Sequence, residues 1–186
     1  MDTVFSPNCN GYRSYSYRYP FRYYSYDYTQ YIYLADELRE FNGQIDSVIF
    51  LTSNTADLAL NIDLYMGFTD KDRFDSESDV IRQSDLSLVY SGPLTNLDSG
   101  KKGVPLEQPI AYDGGRNLVM AVALRNTSPQ YTYVYYKSTT NNRTLHYTSS
   151  TLLNLSDLPD AASEVASSVA DVLFVTHHCE SVVCNA

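Results

Sequence analysis

Alternation with a period of two dominates this chain. "LALNIDLYMGF" sets Leu58, Leu60, Ile62 and Leu64 against Ala59, Asn61 and Asp63. Side chains on a strand point to opposite faces in turn, so this pattern predicts an amphipathic strand with one apolar face. "QIDSVIFLTS" predicts another, with Ile45, Val48 and Phe50 in the core. "LSLVYSG" reads as a strand, and "DVLFVTH" closes the fold with one more. "NLVMAVAL" is apolar at nearly every position, which marks a central strand covered on both faces. "VPLEQPIAYDGG" is extended, is edged by Pro105 and Pro109, and ends in an Asp-Gly turn signal. "QYTYVYYKS" and "RTLHYTS" read as a hairpin about Asn141 and Asn142, "NLDSGKKG" as a turn and "TDKDRFDSESD" as a polar loop.

Helical spacing occurs twice. "LADELREFNG" predicts a short helical turn with Gly43 as its stop. "SDLPDAASEVASSVADV" puts Ala162, Val165, Ala166 and Val169 on one helical face, with Ser156 or Asp157 as cap and Pro159 in the first turn. Regularly spaced strands punctuated by turns predict an all-β fold, an antiparallel β-sandwich of jelly-roll type with one or two short helical segments. No internal repeat or domain boundary interrupts it. The expectation is one domain over 1–186, with 1–18 as an extended N-terminal segment and 178–186 as a tail.

Aromatic content changes this picture. The chain has 18 tyrosines and no tryptophan, and "SYSYRYPFRYYSYDYTQYIY" concentrates them near the start. Tyr24, Tyr26, Tyr28, Tyr31 and Tyr33 are expected to divide between the core and an ordinary sheet face, because aromatic residues favour strands. Tyr15, Tyr17 and Tyr19, with Arg18 and Arg22 among them, are expected at the surface, and they are the candidate ligand-binding residues. A phenol can stack on a sugar while its hydroxyl hydrogen-bonds, and Arg can pair with the ring. Tyr131, Tyr133 and Tyr135 share a face and suit either core or platform.

With 186 residues, 44% of them hydrophobic, the chain can build a real core. A net charge of -9 argues against nucleic acid as partner and against an electrostatic hold on anionic lipid. No apolar run approaches the roughly 20 residues a membrane-spanning helix needs. The start, "MDTVFSPNCNGYRS", has no basic n-region and no apolar h-region, so no signal sequence is expected in this chain. Three cysteines do not make a disulfide framework. Cys179 and Cys184 are close enough to pair, which would leave Cys9 over.

Candidate chemistry is sparse. Calcium takes several oxygen ligands on a turning backbone, and Asp70, Asp72 and Asp75 are its candidates. Counted from Asp70, however, the EF-hand positions for a ligand, Gly and Glu hold Phe74, Asp75 and Ile81. The loop therefore reads as solvated, and no cofactor is expected. His177, His178, Cys179 and Cys184 suit zinc by type, but neighbours on a strand face opposite ways. No nucleophile-elbow motif, P-loop or obvious carboxylate pair is present. The sequons at Asn126, Asn142 and Asn154 matter only in a eukaryotic secretory pathway.

The order of the pieces resembles a β-sandwich module of secreted and cell-surface proteins of Bacteroidetes bacteria. The likeness runs over about residues 19–177, through "YYSYDYTQYIYLADEL", "GQIDSVIF", "IDLYMGFTDKDRF", "LVYSG", "PIAYDGGRNLVMAV" and "ADVLFVT". Where the resemblance leads one to expect a Trp before "PLEQPIAYDG", this chain has "KKGV". The segment 160–170 lacks a counterpart. The resemblance implies an accessory domain of adhesin or carbohydrate-binding type, secreted or at the cell surface, with no catalytic residues. The resulting expectation is a non-catalytic binding or adhesion module for carbohydrate or a surface protein. The alternatives are a structural spacer or assembly subunit, and a jelly-roll glycoside hydrolase.

Overall fold

The structure, a computed structural model, describes residues 2–7, 19–22, 24–53, 55–98 and 100–177, and the backbone of 13–17. Its first elements are β1 (Thr3–Phe5), β2 (Arg13–Tyr17), β3 (Tyr26–Tyr33), the one-turn helix α1 (Ala35–Leu38), β4 (Gly43–Leu51) and β5 (Asn61–Thr69). There follow β6 (Ser87–Pro93), β7 (Thr95–Leu97), β8 (Lys101–Tyr112), β9 (Asn117–Leu124) and β10 (Val134–Ser138). The last are β11 (Thr144–Ser149), β12 (Glu164–Ala166), β13 (Ser168–Ala170) and β14 (Val172–Thr176). The strands form an antiparallel β-sandwich. One layer is the six-stranded sheet β12-β11-β3-β9-β5-β6. The other combines the five-stranded sheet β1-β14-β4-β8-β7 with the three-stranded sheet β13-β10-β2. A bridge between Thr52 and Val134, and hydrogen bonds from Asp171 N–H to Tyr135 O and from Leu51 N–H to Asp171 O, join those two sheets.

The apolar run "NLVMAVAL" becomes β9, held between β3 and β5. Its alternate residues serve two cores. Leu118, Met120, Val122 and Leu124 face the space between the layers, where Ile45, Val48, Phe50 and Phe174 meet them. Val119, Ala121 and Ala123 face outward into a second cluster with Tyr28, Ile32 and Tyr147. Loops roof this outer face. The polar loop after β5 hides Phe74, and Ile81, Leu86 and Ala162 close over it. Gln30, buried on β3, clamps that roof: its amide donates to Ile81 O at 2.6 Å and accepts from Ile81 N–H at 3.0 Å.

Several expectations are met. Leu58, Leu60, Ile62 and Leu64 are all buried, as are Ile45, Val48 and Phe50. The odd spacing from Ile45 to Val48 has a cause. The ladder to β8 jumps from Ile45 opposite Ile110 to Ser47 opposite Pro105, so residues 106–109 fall outside it. Pro105 and Pro109 bracket this excursion because neither can donate a ladder hydrogen bond. Helix α1 forms within the expected segment but ends at Leu38, and Gly43, expected as its stop, instead opens β4. Glu37 accepts the Leu34 N–H at 2.9 Å and a hydrogen bond from Arg143 Nη1 at 2.6 Å, both side chains being buried. Lys102, in the "KKGV" segment, is buried along its stem and donates from Nζ to the Ala56 carbonyl at 2.6 Å.

Two expectations are corrected. The segment 156–172 is not a helix: it is open chain to Ser163, then β12 and β13. Its serines serve other partners. Ser163 Oγ accepts the Thr148 N–H, and Ser167 Oγ donates to Asn142. Serine side chains that compete for backbone groups favour such extended arrangements over helix interiors. The small side chains let the chain pass at Ser167 from β12 in one layer to β13 in the other. For the same reason β10 and β11 are no hairpin. β10 pairs with β13 and β2, whereas β11 pairs with β12 and β3.

Candidate functional site

The tyrosines are mostly construction. Tyr28, Tyr31, Tyr33, Tyr136 and Tyr147 are almost wholly buried. Tyr31 and Tyr136 share a hydrogen bond between hydroxyls at 2.7 Å, and Tyr33 donates to Ala170 O. Burial pushes the Tyr28, Tyr31 and Tyr136 phenols far above their ordinary range, so they stay neutral. Tyr24 is exposed, before β3 begins, and Tyr26, Tyr131, Tyr133 and Tyr135 are half-buried. The expected surface position of Tyr19 is corrected: Tyr19 is buried, with its ring stacked on His146 at 4.1 Å. An imidazole ring beneath it supplies a better-matched contact than water. Arg22 is half-buried and acts electrostatically on Asp27 and His146. Tyr15 and Tyr17 pair through their backbones with Tyr136 and Val134, but their side chains, and all of Arg18, lie outside the described residues.

Tyr19 covers a buried polar group that periodicity could not reveal. His146 on β11 and Thr29 on β3 are paired across the ladder, and Thr29 Oγ1 meets His146 Nδ1 at 2.8 Å. His146 Nε2 stands 3.8 Å from Asp27 Oδ1, too far for a hydrogen bond. Asp27 Oδ2 and His146 Nε2 have no hydrogen-bond partner among the described residues. Loss of water governs both groups. It raises Asp27 to about 6, against hydrogen bonds from Thr148 and Ser25 and the charge of Arg22. It lowers His146 to about 3, and Arg22 pushes the same way.

A second Asp–His–hydroxyl group, with serine in place of threonine, is about half exposed. β1 pairs with β14 so that Thr3 faces Thr176, which brings Asp2 beside His177. Asp2 Oδ2 is 3.1 Å from His177 Nδ1, and Ser47 Oγ on β4 is 3.1 Å from His177 Nε2. A carboxylate only accepts hydrogen bonds, so in the neutral imidazole Nδ1 carries the proton and Nε2 accepts from the Ser47 hydroxyl. The backbone N–H of His177 donates to Asp46 Oδ2 at 2.7 Å, and Gln44 in turn donates to Asp46. The histidine is thus held at its main chain and at both ring nitrogens.

These polar groups edge an apolar hollow of about 340 Å³ on the outer face of the five-stranded sheet. Val4, Val175 and Ile49 form its floor, with Leu97 and Pro105 beyond. Gly103 makes room for Leu97: a Cβ there would stand 2.9 Å from Leu97 Cδ1. A larger cleft, about 660 Å³, lies between the loops around Arg82 and Asp157, and its walls are mainly polar loop side chains.

Three carboxylates of the acidic loop are ion-paired. Asp70 pairs with Arg116, Asp75 with Arg73 and Asp79 with Lys71. Its calcium candidates Asp70, Asp72 and Asp75 are exposed, and no group of three or more His, Cys, Asp or Glu suited to a metal ion occurs among the described residues. His178, Cys179 and Cys184 lie outside the described residues, as does Cys9. No helix among the described residues is long and apolar enough to cross a membrane. Comparison of the chain with models of protein families, with curated proteins and with solved structures gave no match.

Proposed function

We propose that this chain is an extracellular binding module whose contact surface is the hollow on the five-stranded sheet rather than the tyrosine-rich opening. The observation that carries this reading is an open concavity with an apolar floor and a fixed polar edge. At about 340 Å³ it falls at the small end of ligand pockets, which span roughly 300–1,000 Å³. Among the described residues, its lining contains no aromatic ring other than the His177 imidazole at its edge. Stacking on a sugar is therefore poorly served, and a surface protein is the favoured partner over carbohydrate. The fitting ligand is a short peptide segment with aliphatic side chains, bound weakly at each site and strengthened by multivalency. Placement outside a bacterial cell rests on the resemblance of the sequence to Bacteroidetes surface modules.

The test is an NMR titration of the wild type and of Ile49→Glu with a Val/Leu-rich peptide and with a panel of oligosaccharides. The expected result is shift changes around Ile49, Val175 and Leu97 with the peptide, abolished by the substitution. Changes at Tyr24 and Tyr131 with an oligosaccharide would move the contact surface to the exposed aromatics. The assembly or spacer reading draws on the burial of Tyr19, Tyr28, Tyr31 and Tyr33. Silence toward every ligand would favour it.

A further inference from the structure

We propose that Ser47, His177 and Asp2 form an acyl-transfer group that hydrolyses activated esters of short aliphatic acids, with the acyl chain lying in the hollow. The substrate side of this proposal rests on the hollow being a binding surface. The catalytic side rests on the hydrogen-bond chain alone. A serine hydroxyl is a weak nucleophile until a base takes its proton. Here the base is within hydrogen-bond reach, at 3.1 Å, and the carboxylate that fixes its tautomer is at 3.1 Å on the other ring nitrogen. This is the arrangement of roles that makes a serine reactive, and it is recognised by geometry rather than by position in the sequence. The three residues come from both ends of the described chain and from β4, so no local motif announces them.

The steps balance. Ser47 Oγ bonds to the ester carbonyl carbon while its proton passes to His177 Nε2. The carbon–oxygen bond to the alcohol breaks, and Nε2 returns the proton to the departing alkoxide. Water then attacks the acyl carbon, again giving its proton to Nε2. The acid leaves, and the Ser47 hydroxyl is restored. Asp2 is a positioning residue: it touches only the imidazole. The substrate class is an ester with a good leaving group, such as an aryl ester, which takes up the Nε2 proton as it departs. Placement of Ser47, Ile49 and Val175 along the same hollow orients an aliphatic acyl chain over the floor.

The experiment uses the full chain, p-nitrophenyl acetate and butyrate, and a fluorophosphonate label located by peptide mass spectrometry. Label on Ser47 is expected, and Ser47→Ala and His177→Ala should each lose about a hundredfold or more in rate. Asp2→Asn should lower kcat more than it changes KM. Each site lies on the outer face of the sheet, and an unchanged circular-dichroism spectrum would show that the variants fold. Equal rates for wild type and Ser47→Ala, or label on residues other than Ser47, would overturn the proposal. Butyrate should outrun acetate, and Ile49→Glu should erase that preference while Ser47 is still labelled. A labelled Ser47 with no chain-length preference would sink the hollow as a binding surface but leave the triad standing. Peptide binding with an inert Ser47 would do the reverse.

Discussion

Two Asp–His–hydroxyl groups occupy this molecule, and they differ in almost everything but composition. In one, Asp27, His146 and Thr29 are sealed beneath Tyr19, with the carboxylate 3.8 Å from the imidazole. In the other, the side chains of Asp2 and His177 are about half exposed and lie 3.1 Å apart, with Ser47 on the second ring nitrogen. The buried group makes no ideal ion pair and cannot meet a substrate. Its energetics are those of desolvation, which drives both partners toward their neutral forms. The exposed group stays in contact with water and opens on a hollow. Closely similar side chains thus give a folding element in one place and a candidate reaction centre in another, and access to water separates them.

The comparison can be calibrated against a third pair, Glu37 with Arg143, which is buried and tightly hydrogen-bonded. Arg143→Ala strands a buried carboxylate and should cost about 3–5 kcal/mol in chemical denaturation. His146→Ala comes next. It removes a ring stacked on Tyr19 and the Thr29 hydrogen bond, for an expected loss of about 2–4 kcal/mol. His177→Ala should leave the unfolding midpoint near that of the wild type. Equal midpoints for the two histidine variants would break the comparison.

Acidity sharpens it further. His146 is lowered from 6.5 to about 3, so its share of stability is present above pH 6.5 and is lost as pH falls toward 3. Asp27 is raised from 3.8 to about 6, so its share is full below 3.8 and is lost as pH rises through 6. The two shares oppose each other between those limits. Asp27→Asn should therefore steepen the loss of stability from pH 6.5 to 3. His146→Phe should reverse the slope, giving greater stability at pH 4 than at pH 7. Urea midpoints across pH read both, and variants that run parallel to the wild type would refute the opposition. The smallest effect is expected from Gly103→Ala. Leu97 is a partly exposed side chain that can swing away, so stability should shift by less than about 1 kcal/mol. The peptide or acyl preference of the hollow should change nonetheless.

The strands were legible wherever one face had to be dry: Leu58, Leu60, Ile62 and Leu64 read off directly, and so did the doubly covered run at 117–124. What escaped was anything set by partners far away in sequence. The segment 160–170 carries helical spacing, yet β10 and β11 supply partners that an isolated reading cannot see. Phe74 looked like part of a solvated loop because its neighbours are charged, but it roofs the outer face of β9. Tyr19 looked like a contact residue because its neighbours are Arg and Ser, but His146 waits beneath it. Both histidine groups were invisible for the same reason. Thr29 and His146 are separated by 117 positions, and Ser47 and His177 by 130. A lone histidine on a strand carries no signal of its own. Pro105 and Pro109, read as the edges of an extended segment, lie inside β8, where its ladder to β4 shifts register.

The pairing of β1 with β14 carries a mechanical consequence. The two strands are antiparallel, with Thr3 opposite Thr176, so the chain enters and leaves this edge at the same end. Tension applied to the two ends of the domain would load the hydrogen bonds of that pair one after another, as a zipper is opened, rather than all together in shear. The first link in line is the contact between Asp2 and His177. A modest pull would therefore part these two side chains while the sandwich behind them stayed closed, making the edge of the hollow a force-sensitive joint.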